Sequence, residues 1–313
     1  MTTAFGRHIQ VAVAQEATYG TAPTGDWHKV PIISSSLGAS EGLLEDDRLG
    51  EGREDADPLA DVIQGEGDLV LPVDLRNVGL WLSLLLGSPQ TAEDTGVFTH
   101  VFESGALDLP SQAIEIHHPG PGRYHLNTGV MARSLRLQWQ RSGTTQMTLS
   151  CLSQAEEVST NASSGTPEAF PWQRFTQRRG LIELDSTALA DVVSASLTLD
   201  NGPEPREDIR PDGLISGADP GRFMAGVDLT VRYRTAELYD AAAAGTPLAL
   251  TLAYEIDADR RLSFHLPRVW LPKPRLEIQG PGGIQVTYQG QIAKQSDGGP
   301  AVTATLINDV DEY

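Results

Sequence analysis

The sequence predicts a mainly β protein with short helices, built as two tandem β-sandwich domains that arose by internal duplication. Three observations predict it. Short apolar runs alternate with a period of two, as strands with one buried face do. The 31 glycines and 20 prolines among 313 residues separate those runs with turns. One stretch then recurs without a gap at a constant offset of 158, Leu71–Pro89 over Leu229–Pro247, with Leu71/Leu229, Val73/Val231, Arg76/Arg234, Leu80/Leu238, Gly87/Gly245 and Pro89/Pro247 identical. A chain of 33.6 kDa is long enough for two cores.

In chain order, an N-terminal arm leads through a weak alternation at His8–Ala14 to AQEATYGTAPTG, whose Gly20, Pro23 and Gly25 make it a loop or arm. Residues 38–64 are rich in acid, hold only scattered leucines and show no period, which predicts a long acidic loop of the kind that is functional or disordered. From Asp68 to Leu75 the alternation is clear: Leu69, Leu71, Val73 and Leu75 face a core and leave Asp68 and Asp74 on the other side, with Pro72 marking an edge or bulge. Asn77 caps a helix through Leu86, and Gly87 before Pro89 stops it. Strands follow at Val97–Phe102, Ala113–His117, Leu135–Trp139 and Gln146–Leu152, the last two a hairpin about Ser142 and Gly143. A polar, then Ser/Gly/Pro-rich run sets the boundary: domain 1–153, linker 154–173, domain 174–313. The second domain opens with strands at Gly180–Asp185 and Val192–Asp200 and a second long loop, 201–222. The first pattern then returns, with Thr235 as the N-cap and Gly245 as the stop. Tyr124-His125-Leu126 answers Phe264-His265-Leu266, each histidine followed 18 residues later by a hairpin glycine, Gly143 or Gly283. The helices have diverged, since Leu84–Leu86 correspond to Ala242–Ala244.

With 23 Lys and Arg against 42 Asp and Glu the formal charge is −19, which argues against a protein that grips phosphate backbones. Cys151 is alone, so no internal disulfide forms. The start MTTAFGRHIQ lacks a signal-peptide core, and the longest apolar run, Gly79–Leu86, is too short to span a bilayer, which predicts a chain made in the cytoplasm with no membrane span. His117, His118 and His125 suggest zinc only superficially, because PGPGRY between them is turn chemistry and no Cys or acid stands at ligand spacing. The pairs Asp55/Asp57 and Asp257/Asp259 do not fit a calcium loop. Neither GxxxxGK nor GxSxG occurs, and no cofactor and no catalysis are expected. These residues leave open a self-assembling structural protein or a β-sandwich module that binds carbohydrate or protein, while a hydrolase lacks a convergent site.

AQEATYGTAPTGDWHKVPI, GLWLSLLLGSP, THVF, FHLPRVWLPKPRLEIQGPGGIQVTYQGQI and the closing TLINDVDEY together resemble the tail tube (major tail) proteins of long-tailed bacteriophages, over nearly the whole chain. The resemblance implies a virion protein made in the bacterial host, with tail-tube-type sandwiches whose long loop and terminal arms reach neighbouring subunits. It implies rings stacked into a tube, other tail proteins at the tube ends, and DNA passing through without specific binding. Carboxylates should then line the channel, and Asp68, Asp74 and Asp228 are the expected ones. Leu43, Leu44, Asp46, Asp47, Leu59 and Val62 of the long loop are expected to make the ring-to-ring contact. A duplicated chain predicts a trimeric ring with pseudo-sixfold symmetry, the alternative being a hexamer with the second half outside.

Overall fold

The computed structural model describes residues 5–50, 53, 54, 56–277, 280 and 282–313; Asp55 and Ile278 lie outside them. The first half contains β1 (Gln10–Gln15), β2 (His28–Val30), β3 (Ser34–Ser35), β4 (Gly38–Leu44) and β5 (Leu59–Pro72). Helix α1 (Val78–Leu86), β6 (Gln90–Asp94), β7 (Val97–Glu103), β8 (Gln112–His118), β9 (Arg123–Gln140), β10 (Gln146–Ser153) and β11 (Ala155–Ser159) complete it. The second half contains β12 (Gly180–Leu184), β13 (Thr187–Ala188), β14 (Val192–Asp200), β15 (Glu204–Arg206), β16 (Gly217–Asp219) and β17 (Met224–Arg232). Helix α2 (Glu237–Ala244), β18 (Leu248–Asp257), β19 (Arg260–Trp270), β20 (Gln285–Ile292) and β21 (Thr303–Asn308) end the chain.

One antiparallel layer runs β4-β5-β10-β9-β14-β17-β20. A second runs β13-β12-β18-β19-β21-β7-β6. The two layers face each other across the core: Trp139 of β9 stacks on Tyr254 of β18 at 5.1 Å, meets Phe264 of β19 edge-on, and donates its indole N–H to the Ala253 carbonyl (3.1 Å). A further sheet, β2-β1-β8-β9-β11, grows from the same β9. The strand is long enough at 18 residues for its first part to serve that sheet and its last part, from Met131, to serve the first layer.

The core is made by the alternation the sequence carries. Met147, Leu149 and Cys151 of β10, Leu197 and Leu199 of β14, and Val227 and Leu229 of β17 are all nearly without solvent exposure, each large aliphatic side chain contributing about 1.5–3 kcal/mol by leaving water. Burial pushes the Cys151 thiol up to about 12, so it behaves as a small apolar group.

Several expectations change here. One hydrophobic cluster takes residues from Val11 to Leu306, and β14 pairs with β9 while β21 pairs with β7, so the halves share sheets and a core. The expected linker begins with a strand, β11, and Phe175 just beyond it is fully buried. Residues 38–64 are a loop only in part, since β4 and the start of β5 form a registered hairpin from Gly38↔Glu66 to Leu44↔Leu59, while the described residues of 45–58 between them belong to no strand. The loop 201–222 contains the small hairpin β15–β16. Among the described residues no tight hairpin flanks Gly283: β19 and β20 share the pairs Val269↔Ile292 and Trp270↔Gln291, after which Pro272 and Pro274 remove the donors a strand needs. The C-terminus is no free arm, for β21 lies between β19 and β7 and the residues after it fold onto α1.

The strand order repeats along the first layer. β4-β5-β10 is followed by β9, and β14-β17-β20 is followed, at Val269 and Trp270, by β19. Around this the same neighbours recur: hairpins β8–β9 and β18–β19, β11 beside β9 and β21 beside β19, β1 beside β8 and β12 beside β18.

Candidate assembly and channel surfaces

The outward face of the first layer is polar from one end to the other. Its register sets Asp68 opposite Ser150, Ser150 opposite Ser134, and Ser134 opposite Asp200. A parallel row sets Gln138 opposite Ser196, Ser196 opposite Asp228, and Asp228 opposite Gln289. Directly paired residues share a face, and so do positions two apart in a strand, so Asp68 and Asp228 lie on the same surface although 160 residues separate them. Both are exposed and each accepts a hydroxyl hydrogen bond, Asp68 from Ser150 and Asp228 from Ser196 (3.1 Å). Arg136 and Arg232 are basic residues exposed on the same face. The hydroxyl and amide residues that share this face, together with Asp200, were not singled out from the sequence. The signal was present, since they are the outward positions of the same alternation.

Asp74 is not on this face. It is fully buried, because residues 173–175 lie over it: Leu75 N–H donates to the Gln173 carbonyl (2.8 Å) and Phe175 N–H to the Val73 carbonyl (3.0 Å). Its carboxylate accepts from Arg76 N–H (2.7 Å), Asn77 N–H (2.8 Å) and Asn77 Nδ2 (2.7 Å). Asp74 therefore satisfies donors at the entry to α1, the task assigned to Asn77, whose side chain makes no cap bond. Burial raises its pKa, offset in part by those three hydrogen bonds. At α2 the position before the helix is Ala236, and Thr235 stands one residue outside without a capping role. Gly87 (φ +96°) and Gly245 (φ +62°) end the two helices in conformations that disfavour other residues.

The C-terminus locks the same corner. Tyr313 donates its hydroxyl to the Arg76 carbonyl (2.6 Å) and accepts from Asn308 Nδ2 (2.7 Å), while Arg76 holds Asp309 with two bonds of 2.6 and 2.7 Å. Gly79 is required beneath it, since a Cβ there would overlap the Tyr313 ring.

At the opposite end of α1 the β4–β5 hairpin leaves the body. Leu43, Leu44, Leu59 and Val62 are about half to two-thirds exposed or more, Asp47 is exposed and Asp46 pairs with Arg48 (2.7 Å). The loop 201–222 lies against the hairpin base, with Ile63 N–H donating to the Gly213 carbonyl (3.1 Å), and a groove of about 580 Å³ runs between them past Arg133 and Ile209. The structure thus brings together the hairpin and this loop, and separately Asp68 and Asp228.

Of the histidines, His125 pairs with Glu156 (2.5 Å) and His117 stacks on Tyr124. Among the described residues no group of three or more His, Cys, Asp or Glu side chains is arranged to hold a metal, and no helix is long and apolar enough to cross a membrane. Residues 6–292 match a protein-family model described as phage tail tube protein. No curated protein matches the chain.

Proposed function

Because the chain belongs to the phage tail tube protein family, a family of structural proteins of the viral tail, we propose that it assembles into stacked rings whose bore conducts the genome. The observation that carries this is the continuous polar face of the first layer, which gives each subunit one dry and one wet sheet surface, as the wall of a water-filled barrel requires. We assign that face to the lumen, with Asp68, Asp200 and Asp228 among its carboxylates and Asp74 excluded. Acid and hydroxyl groups suit passage, since a wall without clustered cations releases no counterions to duplex DNA and so does not hold it.

The ring is a trimer with pseudo-sixfold symmetry, derived from an internal duplication. The repeated strand order supports this reading, because each chain then supplies the wall twice. β4 at one edge, and at the other the part of β20 that precedes its two pairs with β19, carry backbone groups that a neighbouring copy can pair, so the sheet extends from chain to chain as it extends from β9 to β14 within one. The exposed β4–β5 hairpin makes the ring-to-ring contact, and other tail proteins close the tube ends. The test is electron microscopy of the purified protein with symmetry analysis of tube cross-sections. Three chains per ring, with the polar face inward, is the expected result. Six chains per ring overturns the trimer, and compact single particles overturn the tube.

A further inference from the structure

Between β1, β2 and residues 169–172 lies a cleft of about 740 Å³, apart from both the polar face and the β4–β5 hairpin. Its floor follows from register. Val30 pairs with Val11 and Val11 with Ile116, so the three share one face of their sheet, and Ile9 and Leu37 extend that apolar surface. Ala12 and Ala14, on the opposite face, pack with Trp27 instead. One wall is held in place: Lys29 N–H donates to the Glu168 carbonyl (2.6 Å), Phe170 stacks on His28 (centroids 4.9 Å apart) and Arg76 donates to the Pro171 carbonyl (2.7 Å). Ile33 and Trp172, which also line the cleft, are each about half exposed, an apolar surface that a contact would cover.

Two polar features of the cleft point to an occupant. Asn77 lines it and is only 3% exposed. Its Nδ2 donates to Asp74, but its Oδ1 has no hydrogen-bond partner among the described residues, which leaves a buried acceptor in want of an N–H or O–H donor. Arg7 and Lys29 line the cleft as well, both exposed and neither in an ion pair among the described residues. No Asp or Glu is among the described residues that line it. Of the acids close by, Asp74 is buried with its three donors, and Glu156 holds His125 (2.5 Å) and Ala39 N–H (2.9 Å). Glu168, Asp311 and Glu312 are exposed outside the lining. In a chain of net charge −19 the cleft is thus a local reversal of sign laid over an apolar floor.

We propose that this cleft docks an extended acidic segment of a separate protein. The segment lays a large aliphatic or aromatic side chain on the floor, offers a backbone N–H to Asn77 Oδ1, and sets its carboxylates against Arg7 and Lys29. A peptide meets all three demands at once, whereas an aliphatic acid with its carboxylate on the cations brings no donor for Asn77. The acidic runs of this chain are already committed, 43–61 to the β4–β5 hairpin and 309–313 to the packing on α1, so the segment comes from another protein. The fixed wall lowers the ordering cost of binding on the side of the cleft.

The experiment measures the fluorescence anisotropy of labelled short peptides on the full-length protein. The probe is Asp-Glu-Leu-Phe-Glu-Asp, with Asp-Glu-Gly-Ser-Glu-Asp and Lys-Lys-Leu-Phe-Lys-Lys as controls. The probe should bind about tenfold or more tighter than either control, more weakly as salt rises, and should slow hydrogen exchange in residues 29–37 and 168–173. Arg7→Glu with Lys29→Glu should weaken it about tenfold or more. The milder Arg7→Gln with Lys29→Gln guards against misfolding and should give an intermediate affinity. Equal binding of the three peptides, protection elsewhere in the chain, or unchanged affinity in the charge-reversed variant overturns the proposal. Tighter binding of a peptide of residues 43–49 of this chain, or the same protection on self-assembly alone, assigns the cleft to a second copy and overturns the separate partner. None of these outcomes touches the tube reading, which the symmetry analysis tests by itself.

Discussion

Around the entry to α1, three side chains decide the local structure, and each can be tested alone. Asp74→Ala leaves Arg76 N–H, Asn77 N–H and Asn77 Nδ2 without their acceptor in a buried place, so a loss of about 2–4 kcal/mol is expected in urea denaturation of the subunit. Gly79→Ala should cost about 1–3 kcal/mol by displacing Tyr313. Combined with Tyr313→Ala it should add little further, since both changes break the same contact. The two hydrogen bonds from Arg76 hold the Asp309 carboxyl below the usual carboxylate range. The folded state then binds that proton less readily than the unfolded one, so its stabilising effect is present above the ordinary value near about 4 and is lost as pH falls through the lowered one. Hydrogen exchange over residues 303–313, corrected for its intrinsic pH dependence, should rise in that window, and Asp309→Asn should abolish the change. Asp74 shows why residue roles were only partly legible. Alternation puts it on the exposed face with Asp68, and only the later segment 173–175, which no local pattern connects to it, encloses it.

Among the elements, the β4–β5 hairpin and the two helices show where periodicity succeeds and where it cannot. A strand exposed on both faces needs no apolar alternation, so residues 38–64 carry no period although they pair in register. The turn-and-cap grammar of α1 and α2 was readable, yet not their opposite burial. Every residue of α1 except Leu80 is buried, under covering elements that include β7, while α2 buries only Leu238 and Ala242. Ala243 and Ala244 of α2 are exposed, so among the described residues nothing there demands the volume that Leu85 and Leu86 supply in α1. Replacing the tip 45–58 by a two-residue Asn-Gly turn between Leu44 and Leu59 should leave the melting temperature within a few degrees, because none of the tip's described residues adds a side chain to the core. The same variant should form rings without tubes, as sedimentation would show.

For the molecule as a whole, the lumen assignment makes a prediction about DNA. Asp68→Lys with Asp228→Lys should assemble as the wild type does, since both side chains are exposed and each loses one hydroxyl bond. The resulting tubes should retain duplex DNA at low salt in a mobility-shift assay, with retention falling as salt rises, whereas wild-type tubes should not. Equal behaviour of the two would put the polar face somewhere other than the bore.

What the sequence by itself determined is what neighbouring residues can encode: the β class, many of the strands from Asp68 onward, such as β7, β8, β10, β12 and β14, the glycine stops, and through its motifs the tail-tube family. Alternation and turn chemistry act over a few residues and are therefore readable in one dimension. Only the tertiary structure decided that the two halves share a core, that Asp74 is enclosed while Asp68 and Asp228 meet on one face, and that the C-terminus closes on Gly79. Each of those depends on which strand pairs with which across tens to hundreds of residues, as β14 with β9 and β21 with β7. Pairing of that range is selected by the best joint burial of all strands together, a property that no single stretch of the sequence contains.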